Sequence, residues 1–303
     1  MSFLTQDSVW RLNPESYLRP MFSINPKDLA VPALQKYLQN AIAPRPICFA
    51  STISKSGEPN LSPFSFFNLF SSNPPIAVFS PAYSGRTGAP KDTLLNVIEV
   101  PEVVINVVTY DMVHQTSLSS SPFPKGVNEF IKSGFTPLAS ELVKPFRVKE
   151  SPVQLECKVM EVKELGKAGG AGNLVICEII RMHISENILT TENQIDTRKI
   201  DLVARMGDNW YCRAHGEALF EVQKPITSLG IGIDQLPEHI RNSSVLTGNN
   251  LGLLASVEQL PKPEDVSLHK KNLPEFKDRN EQDRFAQTLL ENNRVIEALM
   301  VLL

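Results

Sequence analysis

The chain has 303 residues, 42% of them apolar, and a formal charge of -3 from 30 basic and 33 acidic side chains. That length supports a sizeable core, in one large domain or in one domain with an appendage. The near-balanced charge implies no broad basic surface, which argues against nucleic acid as a partner while leaving room for a local basic spot holding one phosphate.

In chain order, residues 1–25 mix polar and aromatic side chains without a period and read as an arm on the surface or on a partner subunit. Asn25-Pro26-Lys27-Asp28 is a helix start, and Leu34, Tyr37, Leu38 and Ala41 continue at helical spacing to about Ile42. Ala43-Pro44-Arg45-Pro46 breaks the helix. Strands are then expected over 47–53, 60–70 and 76–79, separated by turns at Lys55-Ser56-Gly57-Glu58-Pro59 and Ser72-Asn73-Pro74-Pro75. Residues 80–90 form a polar loop, and a helix begins at Lys91-Asp92-Thr93 with Leu94, Leu95 and Ile98 facing inward.

Residues 103–109 form an apolar strand containing one polar residue, Asn106, and 112–132 hold short helices and loops. Two long strands, 151–164 and 173–187, flank a flexible glycine-rich tip at 166–172, and residues 202–211 close a last barrel-like segment at a Gly207-Asp208-Asn209 turn. Many short strands with few helices predict an all-β barrel. The composition changes near residue 220, which divides the chain into a domain 1–220, arm and first helix included, and an extension 221–303. The extension ends in a helix over 278–303, with Phe285, Leu289, Leu290, Ile296 and Leu299 at roughly helical spacing.

Three segments suggest a ligand site. Pro44-Arg45-Pro46 stiffens the backbone around one cation, although a plain turn with an ion-paired arginine would look the same. In Asn60-Leu61-Ser62-Pro63-Phe64-Ser65-Phe66-Phe67-Asn68, hydroxyls and amides alternate with phenylalanines. A planar heteroaromatic ring wants that mixture of flat walls and edge donors, and an ordinary core strand with small polar residues outside would share it. Ser84-Gly85-Arg86-Thr87 followed by Lys91-Asp92-Thr93 sets cations and hydroxyls beside the free N–H groups of a helix N-terminus, which favour an anion. Simple capping by Asp92 is the plainer alternative.

Other chemistry is poorly represented. Cys48, Cys157, Cys177 and Cys212 form no CxxC pair or zinc spacing, and the first three sit in apolar runs that read as buried, reduced thiols, with a catalytic thiol as the lesser alternative. No two of His114, His183, His215, His239 and His269 have metal-ligand spacing, and His183 reads as a structural histidine. GxSxG, HExxH and a strand-following GxGxxG are missing, so no Rossmann-type dinucleotide site is expected. No apolar run reaches the ~18 residues of a spanning helix, and residues 1–10 lack a signal-peptide pattern, so a soluble, cytoplasmic protein without a membrane contact is expected.

Taken in order, Pro44-Arg45-Pro46-Ile47, Ser51-Thr52-Ile53, residues 57–68, Asn73-Pro74-Pro75, Lys91-Asp92-Thr93 and residues 104–108 resemble the flavin reductase-like, FMN-binding split-barrel family, in particular its flavoredoxin-type members. Glu150-Ser151-Pro152 and Val203-Ala204-Arg205-Met206-Gly207 extend the likeness, which covers about residues 30–215. The resemblance implies a mainly β, Greek-key split barrel with a few flanking helices, here followed by the partly helical extension, which is expected to pack on the barrel or dimer. It implies a homodimer with FMN near the subunit interface. Ser62, Pro63, Phe64, Ser65, Phe66 and Asn68 would contact the ring or ribityl chain, and Ser84, Arg86, Lys91 and Thr93 the phosphate. Arg45 and Asn106 would lie near the site, and no catalytic side chain is required. The implied activity is hydride acceptance from NAD(P)H with electrons passed on through FMN; a non-enzymatic FMN electron carrier and a barrel that has lost its flavin are the alternatives.

Overall fold

The computed structural model describes residues 21–223 and 228–303; most of the segment read as an N-terminal arm, and residues 224–227, lie outside it. Ile24–Phe220 form one compact unit, and Glu221–Leu303 belong to a second.

In the first unit, Asn25 caps a short 3-10 turn, and α1 (Val31–Ala41) follows. Next come β1 (Cys48–Ile53), β2 (Pro59–Phe64), β3 (Phe67–Ser72), β4 (Pro75–Phe79), α2 (Asp92–Glu99) and β5 (Glu102–Val107). Then come α3 (Val113–Ser119), α4 (Glu129–Ser133), the short β6 (Pro137–Leu138) and β7 (Arg147–Val148), the long β8 (Val153–Glu164) and β9 (Asn173–Ile184), and finally β10 (Val203–Arg205) and β11 (Tyr211–Arg213).

Seven strands form one antiparallel sheet in the order β2-β1-β5-β8-β9-β4-β3. The edges β2 and β3 are consecutive in sequence, separated only by Ser65 and Phe66. A flat seven-stranded sheet would hold its edges about 29 Å apart at ~4.8 Å per strand. Three Cα steps from Phe64 to Phe67 reach at most about 11 Å. The sheet must therefore curl until its edges meet at this bend, which makes it a split barrel rather than an open sheet.

This corrects the single strand expected over 60–70. The chain breaks at Ser65-Phe66 and its two halves pair with different partners. Two further expectations change. Ile98 is exposed, and α2 is seated instead through Thr93, Leu94, Asn96 and Val97. The 202–211 segment is a separate ribbon, β10 on β11, joined to the sheet through bridges Arg45–Arg205 and Thr109–Leu202.

Pairing across the sheet sorts side chains by face, because directly opposed residues share a side. Cys48, Ala50 and Thr52 of β1 lie opposite Phe64, Ser62 and Asn60 of β2, and with Ile105, Cys157, Val175 and Cys177 they face the barrel interior. Phe49 and Leu61 face the other way, onto Phe130 and Phe135 beneath α3 and α4. Each large apolar side chain fully buried this way contributes roughly 1.5–3 kcal/mol.

The second unit contains α5 (Glu238–Arg241), α6 (Gly248–Leu254), α7 (Pro263–Lys270), α8 (Arg279–Glu291) and α9 (Val295–Leu302). The helix expected over 278–303 is thus two. Asn293 adopts φ 61°, a left-handed conformation that asparagine tolerates and that reverses the chain. Leu289 and Leu290 of α8 then meet Leu299 and Leu302 of α9 in a core made only of this unit's residues. These leucines consequently need no other surface to cover them.

Candidate functional site

The bend Ser65-Phe66 joins the two edge strands of the sheet and is bonded to the start of loop 80–91. Phe64 is buried against Phe79, ring centroids 5.5 Å apart, and forms a fixed wall. Phe66 is 42% exposed just beyond it, and Ser62 and Ser65 are half-buried. The N–H groups of Ser65 and Phe66 have no partner among the described residues, while the Phe66 carbonyl accepts from Ser80 N–H at 2.8 Å. That last bond pins the end of β4, and with it the start of loop 80–91, to the bend.

The outward edge of β2 behaves differently. Leu61 N–H points away from β1 and is taken by Glu129 Oε2 at 3.1 Å. By strand alternation the other outward positions are Pro59 and Pro63, which have no N–H. This edge therefore offers carbonyls only, and among these residues the free backbone donors lie at the bend. Burial pushes the Glu129 carboxyl up, with nearby Asp92 adding to it, although the bonds from Leu61 and its own N–H pull it down.

The far end of the loop is tied to the same strand. Asn60 Nδ2 donates to Thr93 Oγ1 at 2.9 Å and to Thr52 Oγ1 at 3.0 Å, and Asn96 Nδ2 donates to Thr52 Oγ1 at 3.1 Å. All four residues are buried. Thr93 thus faces the barrel, with its hydroxyl oxygen engaged there rather than turned to the loop. The N-cap, Lys91, is exposed, and its side chain makes no cap bond. Leu94 and Leu95 N–H both reach the Lys91 carbonyl. The Asp92 and Thr93 N–H groups have no partner among the described residues, which leaves a donor pair beside a lysine.

Loop 80–91 is held from a third side. Tyr83 N–H donates to Ala171 O at 2.9 Å, and Gly170 N–H to Tyr83 O at 3.0 Å. A Cβ on Gly169 would stand 2.9 Å from Ser84 O, and one on Gly172 2.6 Å from Ser80 Oγ. The glycine-rich tip, read from sequence as flexible, is docked on this loop, and its glycines permit the close approach. Gly169 and Gly172 were missed as part of the site; small residues at a hairpin tip carry no signal of what they pack against. Ser84 Oγ accepts from Thr87 N–H at 3.2 Å and shapes the turn, whereas Arg86 is exposed.

Arg45 and Asn106 do other work. The Arg45 guanidinium donates to the carbonyls of Gln39, Ile42 (2.8 Å) and Met206 (2.8 Å), locking the end of α1 to the ribbon. Burial, then the charge of Arg205, lowers its pKa. Asn106 lies on the sheet face opposite Ser62 and is wholly enclosed. Its Nδ2 donates to Phe49 O at 3.0 Å, and its Oδ1 accepts from Val148 N–H at 2.9 Å. Both side chains are engaged within the fold, and among the described residues neither hydrogen-bonds to the bend or to loop 80–91. Asn68 is exposed on β3, with its Oδ1 accepting from Leu69 N–H at 2.8 Å.

The thiols offer no nucleophile at this site. Burial pushes Cys48 and Cys157 well up and Cys177 up to about 12, so these thiols stay protonated at neutral pH. Among the described residues no group of His, Cys, Asp and Glu is arranged for a metal, and no helix is long and apolar enough to cross a membrane.

The family model of the flavin reductase like domain matches residues 41–198, all within the first unit. A protein of Halalkalibacterium halodurans is 34% identical over 209 residues, covering 68% of this chain and 97% of its own. One from Aquifex aeolicus is 34% identical over 190 residues, covering 62% and 94%. Among solved structures, nitrilotriacetate monooxygenase component B from Bacillus cereus superposes with a TM-score of 0.63 at 29% identity, over 67% of this chain and all of that one. The 2-nitrobenzoate 2-nitroreductase of Pseudomonas fluorescens gives 0.60 at 25% identity, over 69% and 100%. With a family model that spans half of its length and a curled sheet that sets the family's segments side by side, the chain belongs to the flavin reductase-like family.

Proposed function

We propose that the chain is an FMN-binding oxidoreductase of the flavin reductase type, using NAD(P)H as hydride donor and working as a homodimer with the flavin near the subunit interface. The observation that carries this reading is the convergence on loop 80–91. One end is bonded to a bend with free N–H groups and phenylalanine walls, and the other to an uncapped helix start bearing Lys91. A planar, hydrogen-bonding ring and a phosphate dianion fit those two ends respectively.

In this reading Phe64 and Phe66 flank the ring, and the N–H groups of Ser65 and Phe66 address its polar edge. Ser62 and Asn68 contribute donors, and Pro63 keeps the strand edge free of a competing one. Lys91, Arg86, Ser84 and the Asp92 and Thr93 N–H groups hold the phosphate. When bound, FMN supplies the redox chemistry, accepting hydride and passing electrons on; the side chains bind, orient and shield it. Leu69 and Phe70, 57% and 67% exposed on edge strand β3, support the dimer, because a monomer seldom leaves such an edge uncovered.

The test has two arms. The purified chain should be yellow, absorbing near ~450 nm, or should take up added FMN. Anaerobic addition of NADH or NADPH should then bleach it within seconds. FMN binding with no bleaching by either nucleotide would favour the second reading, an FMN electron carrier. Absence of FMN binding would refute both.

A further inference from the structure

A second cleft lies in the same unit, between α3 and the β10–β11 ribbon, and uses none of the residues assigned to the flavin. It holds about 420 Å3, within the usual range for small-molecule sites. Tyr110 and Val113 form one side, and Tyr211 and Val203 the other.

Its two arginines are not equivalent. Arg213 is neutralised, with Nε and Nη2 on the Asp201 carboxylate at 2.7 and 2.6 Å, and its guanidinium lies 3.8 Å over the Tyr110 ring. Arg205 has no carboxylate partner among the described residues. Its guanidinium lies 4.6 Å over Tyr211, and Nη2 donates to Asp208 O at 2.8 Å. Stacking fixes the plane of this group and leaves the rest of its N–H edge unused. Behind it, buried Arg45 is also bonded only to carbonyls, and the two charges repel. Two cations side by side without an acid leave an electrostatic deficit that an anion would fill.

We propose that this cleft binds a small planar aromatic anion, an aryl carboxylate in its simplest form. The carboxylate would take the open N–H edge of Arg205, a planar fork that matches its two oxygens. The ring would lie between the tyrosine and valine walls. A bare anion lacks the apolar contact, and a neutral ring lacks the partner for Arg205.

Cys212 lines the cleft and is the one cysteine of four that is not buried, so neutral maleimide labelling of the native chain reads this site. Saturating benzoate should slow labelling severalfold, while benzyl alcohol and inorganic phosphate at the same concentration should not. Arg205→Gln should raise the half-protecting benzoate concentration roughly tenfold or more, the usual effect of losing a charged hydrogen bond. Lys167→Gln, an exposed charge on the hairpin tip, should leave it unchanged. No protection by benzoate, equal protection by benzyl alcohol or phosphate, or equal behaviour of the two variants would each overturn the proposal. If Arg205→Gln fails to fold, the comparison of the three probes on the unaltered chain decides. The protection should persist with FMN present; protection by FMN itself that leaves nothing for benzoate would assign the cleft to the flavin and overturn a separate site.

Discussion

Asn60 is the side chain whose loss should be felt both in the fold and at the candidate site. Its amide joins β2 to the first turn of α2 through Thr93 and to β1 through Thr52. Replacing it by alanine deletes two buried hydrogen bonds, each worth about 1 kcal/mol net. Thr52 keeps its bond from Asn96, but the Thr93 hydroxyl, only 1% exposed, loses its donor. An unsatisfied buried group costs ~1–3 kcal/mol. Taking the Thr52 bond at about 1 kcal/mol and the Thr93 loss as the unsatisfied hydroxyl alone, the expected destabilisation for Asn60→Ala is about 2–4 kcal/mol, read as a lowered urea midpoint with an unchanged slope. Thr93→Val, which keeps the shape and removes the acceptor, should be non-additive with Asn60→Ala by ~0.5–1.5 kcal/mol. FMN affinity of Asn60→Ala should also fall, since Lys91 rides on the loosened helix start. A midpoint shift worth less than ~0.5 kcal/mol, or strict additivity of the pair, would refute the reasoning.

Three other outcomes are expected. Lys91→Ala should weaken FMN binding by about 1–3 kcal/mol in a fluorescence titration, with stability little changed, because the side chain is exposed. Arg45→Met should lower stability but leave FMN affinity of the folded protein unaltered, since its partners are the carbonyls of Gln39, Ile42 and Met206; a large loss of affinity would return Arg45 to the site. Glu156 should confer acid sensitivity: burial pushes its carboxyl up, but the Glu141 and Leu142 N–H groups and His183, whose Nε2 is 2.7 Å away, hold it below its usual value. A depressed carboxylate stabilises fully above the unfolded value near ~4.3, and that contribution is lost as pH falls through the folded value. Urea midpoints at neutral pH and in acid should therefore differ less in Glu156→Gln than in the unaltered chain.

The sequence carries the strands because apolar periodicity and turn residues are local signals, and the ordered motif series carries the family. It does not carry the bend at Ser65-Phe66, since Ser-Phe-Phe continues the alternation and only the pairing of β2 with β1 and of β3 with β4 breaks it. The same holds for α8 and α9, where the reversal rests on the left-handed backbone of Asn293. Lys91 at a helix start is legible from residue type, and the structure shows it as the exposed N-cap of α2. Arg45 and Asn106 were not separable from ligand-binding residues, because a buried arginine serving carbonyls and a binding arginine look alike until their partners are known. Thr93 lies in the first turn of α2, and its inward direction depends on Asn60, thirty-three positions earlier, which no local pattern shows.

The way the sheet closes also bears on the order in which this unit acquires its structure. Its pairings join residues far apart in the chain, Cys48 with Val107 and Ile76 with Glu178. Such contacts form late, because a long loop must be ordered before they stabilise anything. The Ser65-Phe66 bend can reach its final form only after both strand systems have assembled, since it belongs to each. On the proposed reading, uptake of FMN during refolding should therefore lag behind the return of β-sheet signal, making the flavin a reporter of the finished bend rather than a template for it.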